Sequence, residues 1–142
     1  METVTQTTKI YYTAKTHTTG GREHGVARSS DGHLDIRLSL PGTDGTGTNP
    51  EQLFAAGWSA CFEGAMGIAA NKMRITLPDD TSIDAEVDLC VDKGGFFLQG
   101  RLNVSIPNLD RNTAQQLVDF AEQNCPYTKA IHGNVHVEIR LM

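Results

Sequence analysis

A chain of 142 residues can enclose one core, and at that length roughly two-thirds of the surface of the unfolded chain is removed from water. Seventeen acidic against twelve basic side chains leave a net charge of -5, which offers no basic field for a phosphate backbone or an anionic membrane. The first residues lack a basic start and an apolar run, and no segment reads as long and apolar enough to span a bilayer, so a cytoplasmic protein of one domain, residues 1–142, is expected.

Alternation predicts a strand over residues 10–18, ended by Gly20-Gly21, then strands over 26–29 and 34–40 joined across Asp31-Gly32. In the third of these Leu34, Ile36, Leu38 and Leu40 share a face. A glycine-rich loop follows over 41–48, where a phosphate loop would need a lysine that is missing. Asn49 as cap and Pro50 at the first helical position start a helix that runs to about Lys72. Between Gln52 and Asn71 its only charged residue is Glu63, and six alanines and three glycines leave little bulk on any side. Such a helix needs close neighbours nearly all round, more than one small sheet provides, which points to enclosure by a second copy of the chain.

Residues 83–106 read as a hairpin. Setting Val91 against Phe96 also sets Leu89 against Leu98, Ala85 against Leu102 and Glu86 against Arg101, so both strands agree on one register. A second helix over 110–124 carries Ala114, Leu117, Val118 and Ala121 on one stripe, which Cys125 continues before Pro126 interrupts it. Val135, Val137, Ile139 and Leu141 make a terminal strand.

Three cysteines without a C-x-x-C fit neither a disulfide framework nor a zinc site. Cys90 alternates onto a polar face beside Asp88 and Asp92, whose charges disfavour a thiolate there. Cys61 lies about three turns into the small-residue helix, where burial alone makes an inert thiol and only a cation from elsewhere makes a nucleophile. Arg22, on a loop after two glycines, has the best local context to supply one. Glu51 suits two roles equally, a carboxylate favoured by the start of its helix or a partner that holds an arginine fork.

Gly20-Gly21-Arg22, the run Ser29-Ser30-Asp31-Gly32, the block Thr48-Asn49-Pro50-Glu51-Gln52-Leu53-Phe54-Ala55-Ala56-Gly57 leading to Ser59-Ala60-Cys61-Phe62, and Asn124-Cys125-Pro126-Tyr127 together resemble the organic hydroperoxide resistance family. The resemblance spans nearly the whole chain in order; Trp58, where a tyrosine is common, and the additional Cys90 depart from it. It implies an α+β fold of the OsmC type, with antiparallel sheets packed on a central buried helix in an intertwined homodimer. It further implies an organic hydroperoxide reductase with Cys61 as the attacking thiol and Cys125 as the resolving thiol, Arg22 steadying the thiolate and Glu51 orienting Arg22. No bound cofactor is implied; the reductant is a dihydrolipoyl group, as dihydrolipoamide or on a lipoylated partner protein.

Two other readings compete with this one. A cysteine hydrolase would use Cys61 with a histidine base, but Gly57-x-Ser59-x-Cys61 falls inside a helix instead of at a strand-to-helix elbow. A non-catalytic dimer binding an apolar ligand would keep Cys61 and Cys125 as small buried hydrophobes. His132 and His136 have a spacing that metal sites use, and on or near a terminal strand they point most simply to solvent.

Overall fold

A computed structural model describes residues 8–142, which form two compact units, one ending at Pro50 and the other running Glu51–Met142. In the first, β1 (Thr16–Thr19), the short helix α1 (Gly21–His24), β2 (Val26–Ser29) and β3 (Asp35–Arg37) follow one another, and the strands form an antiparallel sheet in the order β1-β2-β3. Gly20 and Gly21, at φ 79° and 67°, take the left-handed backbone that lets the chain leave β1 and enter α1. The turn across Asp31-Gly32 is closed by a Ser29 N–H to Leu34 carbonyl bond of 2.8 Å. Its Asp31 carboxylate accepts from the Ser29 hydroxyl at 2.6 Å and the His33 N–H at 3.0 Å, which hold its pKa below the ordinary value.

Two strands are shorter than their alternation suggests. Residues 10–15 are not paired as a strand, and Ile10, Tyr11 and Tyr12 are exposed, Tyr11 to 97%. Alternation marks a chain suited to a sheet, but although the Lys15 carbonyl accepts from the Ser30 N–H at 2.9 Å, residues 10–14 have no strand partner among the described residues. The third strand ends at Arg37 because the returning loop takes its hydrogen bonds: the Thr48 N–H donates to the Arg37 carbonyl and the Ser39 N–H to the Thr48 carbonyl, each at 2.9 Å. The glycine-rich connector is thereby tied down at both ends, with the Gly47 N–H also donating to the Ser39 hydroxyl at 2.9 Å.

The second unit is built on helix α2 (Pro50–Lys72), followed by β4 (Ser82–Asp92), β5 (Gly95–Ser105), α3 (Arg111–Asn124), α4 (Pro126–Ile131) and β6 (His136–Leu141). The hairpin β4-β5 has the register read from its sequence, Val91 opposite Phe96, Leu89 opposite Leu98, Ala85 opposite Leu102 and Glu86 opposite Arg101. Its outer face carries a fork in which Arg101 donates twice to Asp88, at 2.9 Å each, and once to Glu86 at 3.1 Å. The guanidinium and the Gln99 amide pull the Asp88 carboxyl down to about 2. Strand β6 departs from the antiparallel expectation: it pairs parallel to β5, Leu102 opposite Ile139. The connection between them contains both α3 and α4, and a crossover of that kind carries the chain from the end of the sheet where β5 finishes back to the end where it began.

Helix α2 buries Trp58, Phe62, Ala65, Met66, Ala69 and Ala70 against Leu102 and Val104 of β5 and Leu117, Val118 and Ala121 of α3. Its 23 residues are long and apolar enough by length and composition to cross a membrane, contrary to the sequence reading, but the apolar side chains form the core of this unit. A second stripe, Ala56, Ala60, Gly64 and Ile68 at intervals of four, stays exposed, Ile68 to 56%. Asp110 caps α3 by accepting from the Thr113 N–H at 3.0 Å and hydroxyl at 2.8 Å, contacts that keep its pKa below the ordinary carboxylate range.

Trp58 sets a tight limit on the sheet. A Cβ at Gly100 would stand 2.8 Å from the indole and 3.1 Å from the Glu86 carbonyl oxygen, so Gly100→Ala is expected to cost about 1–3 kcal/mol, read as a lower urea midpoint. An unchanged midpoint would mean that the indole has room to move.

Candidate active site

The sequence leaves Cys61 with no stabilising neighbour of its own, and the fold supplies one from a place the sequence reading passed over. Helix α3 ends at Cys125, whose N–H still donates to the Ala121 carbonyl at 2.8 Å while its own backbone is extended. Pro126 cannot continue that helix but suits the first position of a new one, and the chain turns at once into α4. The first amides of a helix have no partner within it. The Tyr127 N–H, second in α4, instead lies close enough to the Cys61 sulfur to favour its anionic form. A proline straight after the cysteine was the signal for this second helix start.

The same turn places the buried Cys125 in the core cluster against which Cys61 packs, with the two thiols close enough to affect one another's ionisation. All three cysteines are free; Cys125 is fully buried and Cys61 partly so, while Cys90 lies on the hairpin opposite Phe97. Burial pushes the Cys61 thiol above its ordinary pKa, the Tyr127 amide pulls it down, and the neighbouring Cys125 thiol adds to the upward shift. Within this unit the balance therefore favours the neutral thiol.

Aromatic rings join α2 to α4. Phe54 meets both Trp58 and Tyr127 edge-on at 6.1 Å between centroids, and the Tyr127 phenol lies so close to Gly57 that a Cβ there would stand 2.6 Å from its oxygen. The Trp58 indole N–H donates to the buried Thr128 hydroxyl at 3.0 Å. On its open side Cys61 borders a groove of about 500 Å³ lined by Gly64, Ala65, Ile68, Phe120 and Pro126, with the Lys72 ammonium 5.0 Å over the Phe120 ring.

The other two candidate residues belong to different elements. Glu51 is in the first turn of α2, ten residues and ~15 Å of helix before Cys61, so any influence on the sulfur passes through another group. Arg22 is in α1, in the first unit. His132 follows α4 and His136 opens β6, where its imidazole is 3.8 Å from the Glu138 carboxylate in an exposed pair.

The sequence pattern of the OsmC-like protein family matches residues 42–140, taking in α2, the hairpin and the Cys125 turn. The organic hydroperoxide resistance protein of Xanthomonas axonopodis pv. citri is 47% identical over 137 residues, covering 94% of this chain and 96% of its own. The chain belongs to the organic hydroperoxide resistance family of OsmC-like proteins. Another relative, OhrB of Bacillus subtilis, is 45% identical over 92% of this chain and 97% of its own. The crystal structure of Bacillus subtilis OhrB superposes with a TM-score of 0.86 at 43% identity, covering 94% of this chain and 100% of that one. A Vibrio cholerae structure described as a putative organic hydroperoxide resistance protein, with captopril bound in one of its active sites, reaches 0.87 at 35% identity, covering 96% and 95%. The α+β fold of this family is thus the fold of the chain.

Proposed function

We propose that the protein is a thiol-dependent peroxidase that reduces organic hydroperoxides to alcohols, with Cys61 as the attacking sulfur and Cys125 as the resolving one. The observation that carries this reading is the packing of Cys61 against the core cluster that holds Cys125, in a family named for resistance to organic hydroperoxides. The Cys61 thiolate attacks one peroxide oxygen, the O–O bond breaks, and the alkoxide leaves as the alcohol after taking up a proton. Cys61 is then a sulfenic acid. The Cys125 sulfur attacks it, an S–S bond forms as the S–O bond breaks, and the departing hydroxide leaves as water with the Cys125 proton.

Arg22 in this scheme stabilises the thiolate and the departing alkoxide, and Glu51 holds the guanidinium. The apolar lining of the groove beside Cys61 favours alkyl chains over hydrogen peroxide. No histidine is among its described lining residues, which favours a peroxidase over a cysteine hydrolase. A dihydrolipoyl dithiol, free or on a lipoylated protein, returns the disulfide to two thiols and is itself oxidised to the cyclic disulfide. The working unit is a homodimer, because the stripe Ala56, Ala60, Gly64 and Ile68 is left exposed by the described residues and a second copy would cover it.

Mass spectrometry after addition of an alkyl hydroperoxide tests the reading. Native spectra are expected to show the dimer, and denatured, digested protein a peptide pair linked through Cys61 and Cys125 together with one alcohol per disulfide. Oxidation that leaves these two cysteines unlinked would sink the mechanism, and a native spectrum of monomers alone would sink the dimer.

A further inference from the structure

Helix α4 is only six residues long, yet it delivers two groups that act on the Cys61 thiol, the Cys125 thiol just before it and the Tyr127 N–H within its first turn. A helix of that length is not held by its own backbone bonds, so its seat on α2 has to come from side chains. Three contacts supply it: Tyr127 against Phe54, Tyr127 across Gly57, and the bond from Trp58 to Thr128. The last is the only one of these that is directional and buried at both ends, with Trp58 at 0% and Thr128 at 7% exposure. Its two partners each lie three residues from a cysteine, Trp58 one helical turn before Cys61 and Thr128 one turn after Cys125.

We infer that the Trp58–Thr128 hydrogen bond is a positioning pair for the resolving step, holding the Cys125 turn against the Cys61 helix so that disulfide formation outruns a second oxidation. The inference rests on the proposed roles of Cys61 and Cys125. Once Cys61 is a sulfenic acid it has two fates: Cys125 attacks it and water leaves, or a second hydroperoxide oxidises it to sulfinic acid with release of a second alcohol. Lost seating reduces the population in which the sulfurs meet and leaves the bimolecular route untouched. A polar group left unpaired in that interior, the Thr128 hydroxyl after Trp58→Phe or the indole N–H after Thr128→Val, adds to the loosening.

The test is the partition of Cys61 between disulfide and sulfinic acid, read by mass spectrometry at one fixed excess of an alkyl hydroperoxide such as tert-butyl hydroperoxide. Trp58→Phe and Thr128→Val are each expected to raise the sulfinic fraction about tenfold, the worth of one buried hydrogen bond, and Thr128→Ser, which keeps the acceptor, to restore the wild-type ratio. The double variant Trp58→Phe with Thr128→Val should partition like either single one. A purely structural role would lower thermal stability in all variants without changing this ratio. Wild-type partition in both single variants overturns the positioning pair while leaving the peroxidase reading intact. A wild-type protein that forms no Cys61–Cys125 disulfide overturns both. Should Trp58→Phe not fold, Thr128→Val and Thr128→Ser interrogate the same bond.

Discussion

Cys125→Ser is expected to consume about one hydroperoxide per Cys61 and then stop, because attack needs only the first sulfur and renewal needs the second. A serine oxygen in the same place cannot close an S–S bond, so Cys61 is left as a sulfenic acid and then, in excess peroxide, as sulfinic acid. The burst itself should persist: the Cys125 thiol is one of the influences that raise the Cys61 pKa, and taking its sulfur away does not make the thiolate rarer. The site is fully buried, so the swap carries a stability cost of about 1–3 kcal/mol, which an intact thermal transition would show to be tolerated. Peroxide consumed per chain, counted against the mass of the oxidised protein, checks the prediction. Continued turnover at the wild-type rate would remove Cys125 from the mechanism, and a variant with neither burst nor sulfenic acid would remove Cys61. A protein that merely stores an apolar ligand shows no burst with either chain.

The elements that sequence patterning captured are those whose partners are local. In the hairpin, apolar alternation in two strands had to agree with one turn, and every pairing from Val91–Phe96 to Ala85–Leu102 follows from that agreement. Helix α2 was legible from a proline at its first position and from its small residues, to the same final Lys72. Residues 10–14 carry the same alternation without strand pairing among the described residues, and Leu38 and Ser39 bond to Gly25 and Thr48 without lengthening β3, because a strand is a relation between two segments and composition describes only one. The parallel course of β6 was hidden for a related reason, since direction follows from the crossover through α3 and α4 and not from Val137 or Ile139.

For the candidate site, the two cysteines could be picked out but their meeting could not be derived. Cys61 on α2 and Cys125 at the end of α3 are 64 positions apart in the numbering, and only the family resemblance joined them before the fold did. The Tyr127 amide was missed because Pro126 was taken as an interruption, when it is also the first residue of α4. Trp58 was noted as a departure at a tyrosine position, but its partner Thr128 lies on that same unrecognised helix. Each miss traces to one short element whose helical character depends on what it packs against.

Arg22→Ala is expected to slow the reaction with alkyl hydroperoxides about a hundredfold at neutral pH and to move the inflection of the pH–rate profile upward. The sign follows from the thiol. The thiolate is the reactive form, and burial holds the Cys61 pKa above its ordinary value, so without a cation the reactive fraction at neutral pH falls below the few per cent of a free cysteine. One amide, from Tyr127, works against burial and does not reverse it. In the proposed mechanism the Arg22 guanidinium supplies the missing charge, and its removal leaves a rate that keeps climbing as the solution becomes more alkaline. The effect has two parts that a second variant separates: Arg22→Lys keeps the charge and loses the fork, so the inflection should return toward that of the wild type while the rate of the thiolate itself stays low. Stopped-flow rates of tert-butyl hydroperoxide reduction across the pH range give both quantities. Profiles for Arg22→Ala and wild type that coincide would show that Cys61 is activated by some other group, for which the Lys72 ammonium, which lines the same groove, is the next candidate.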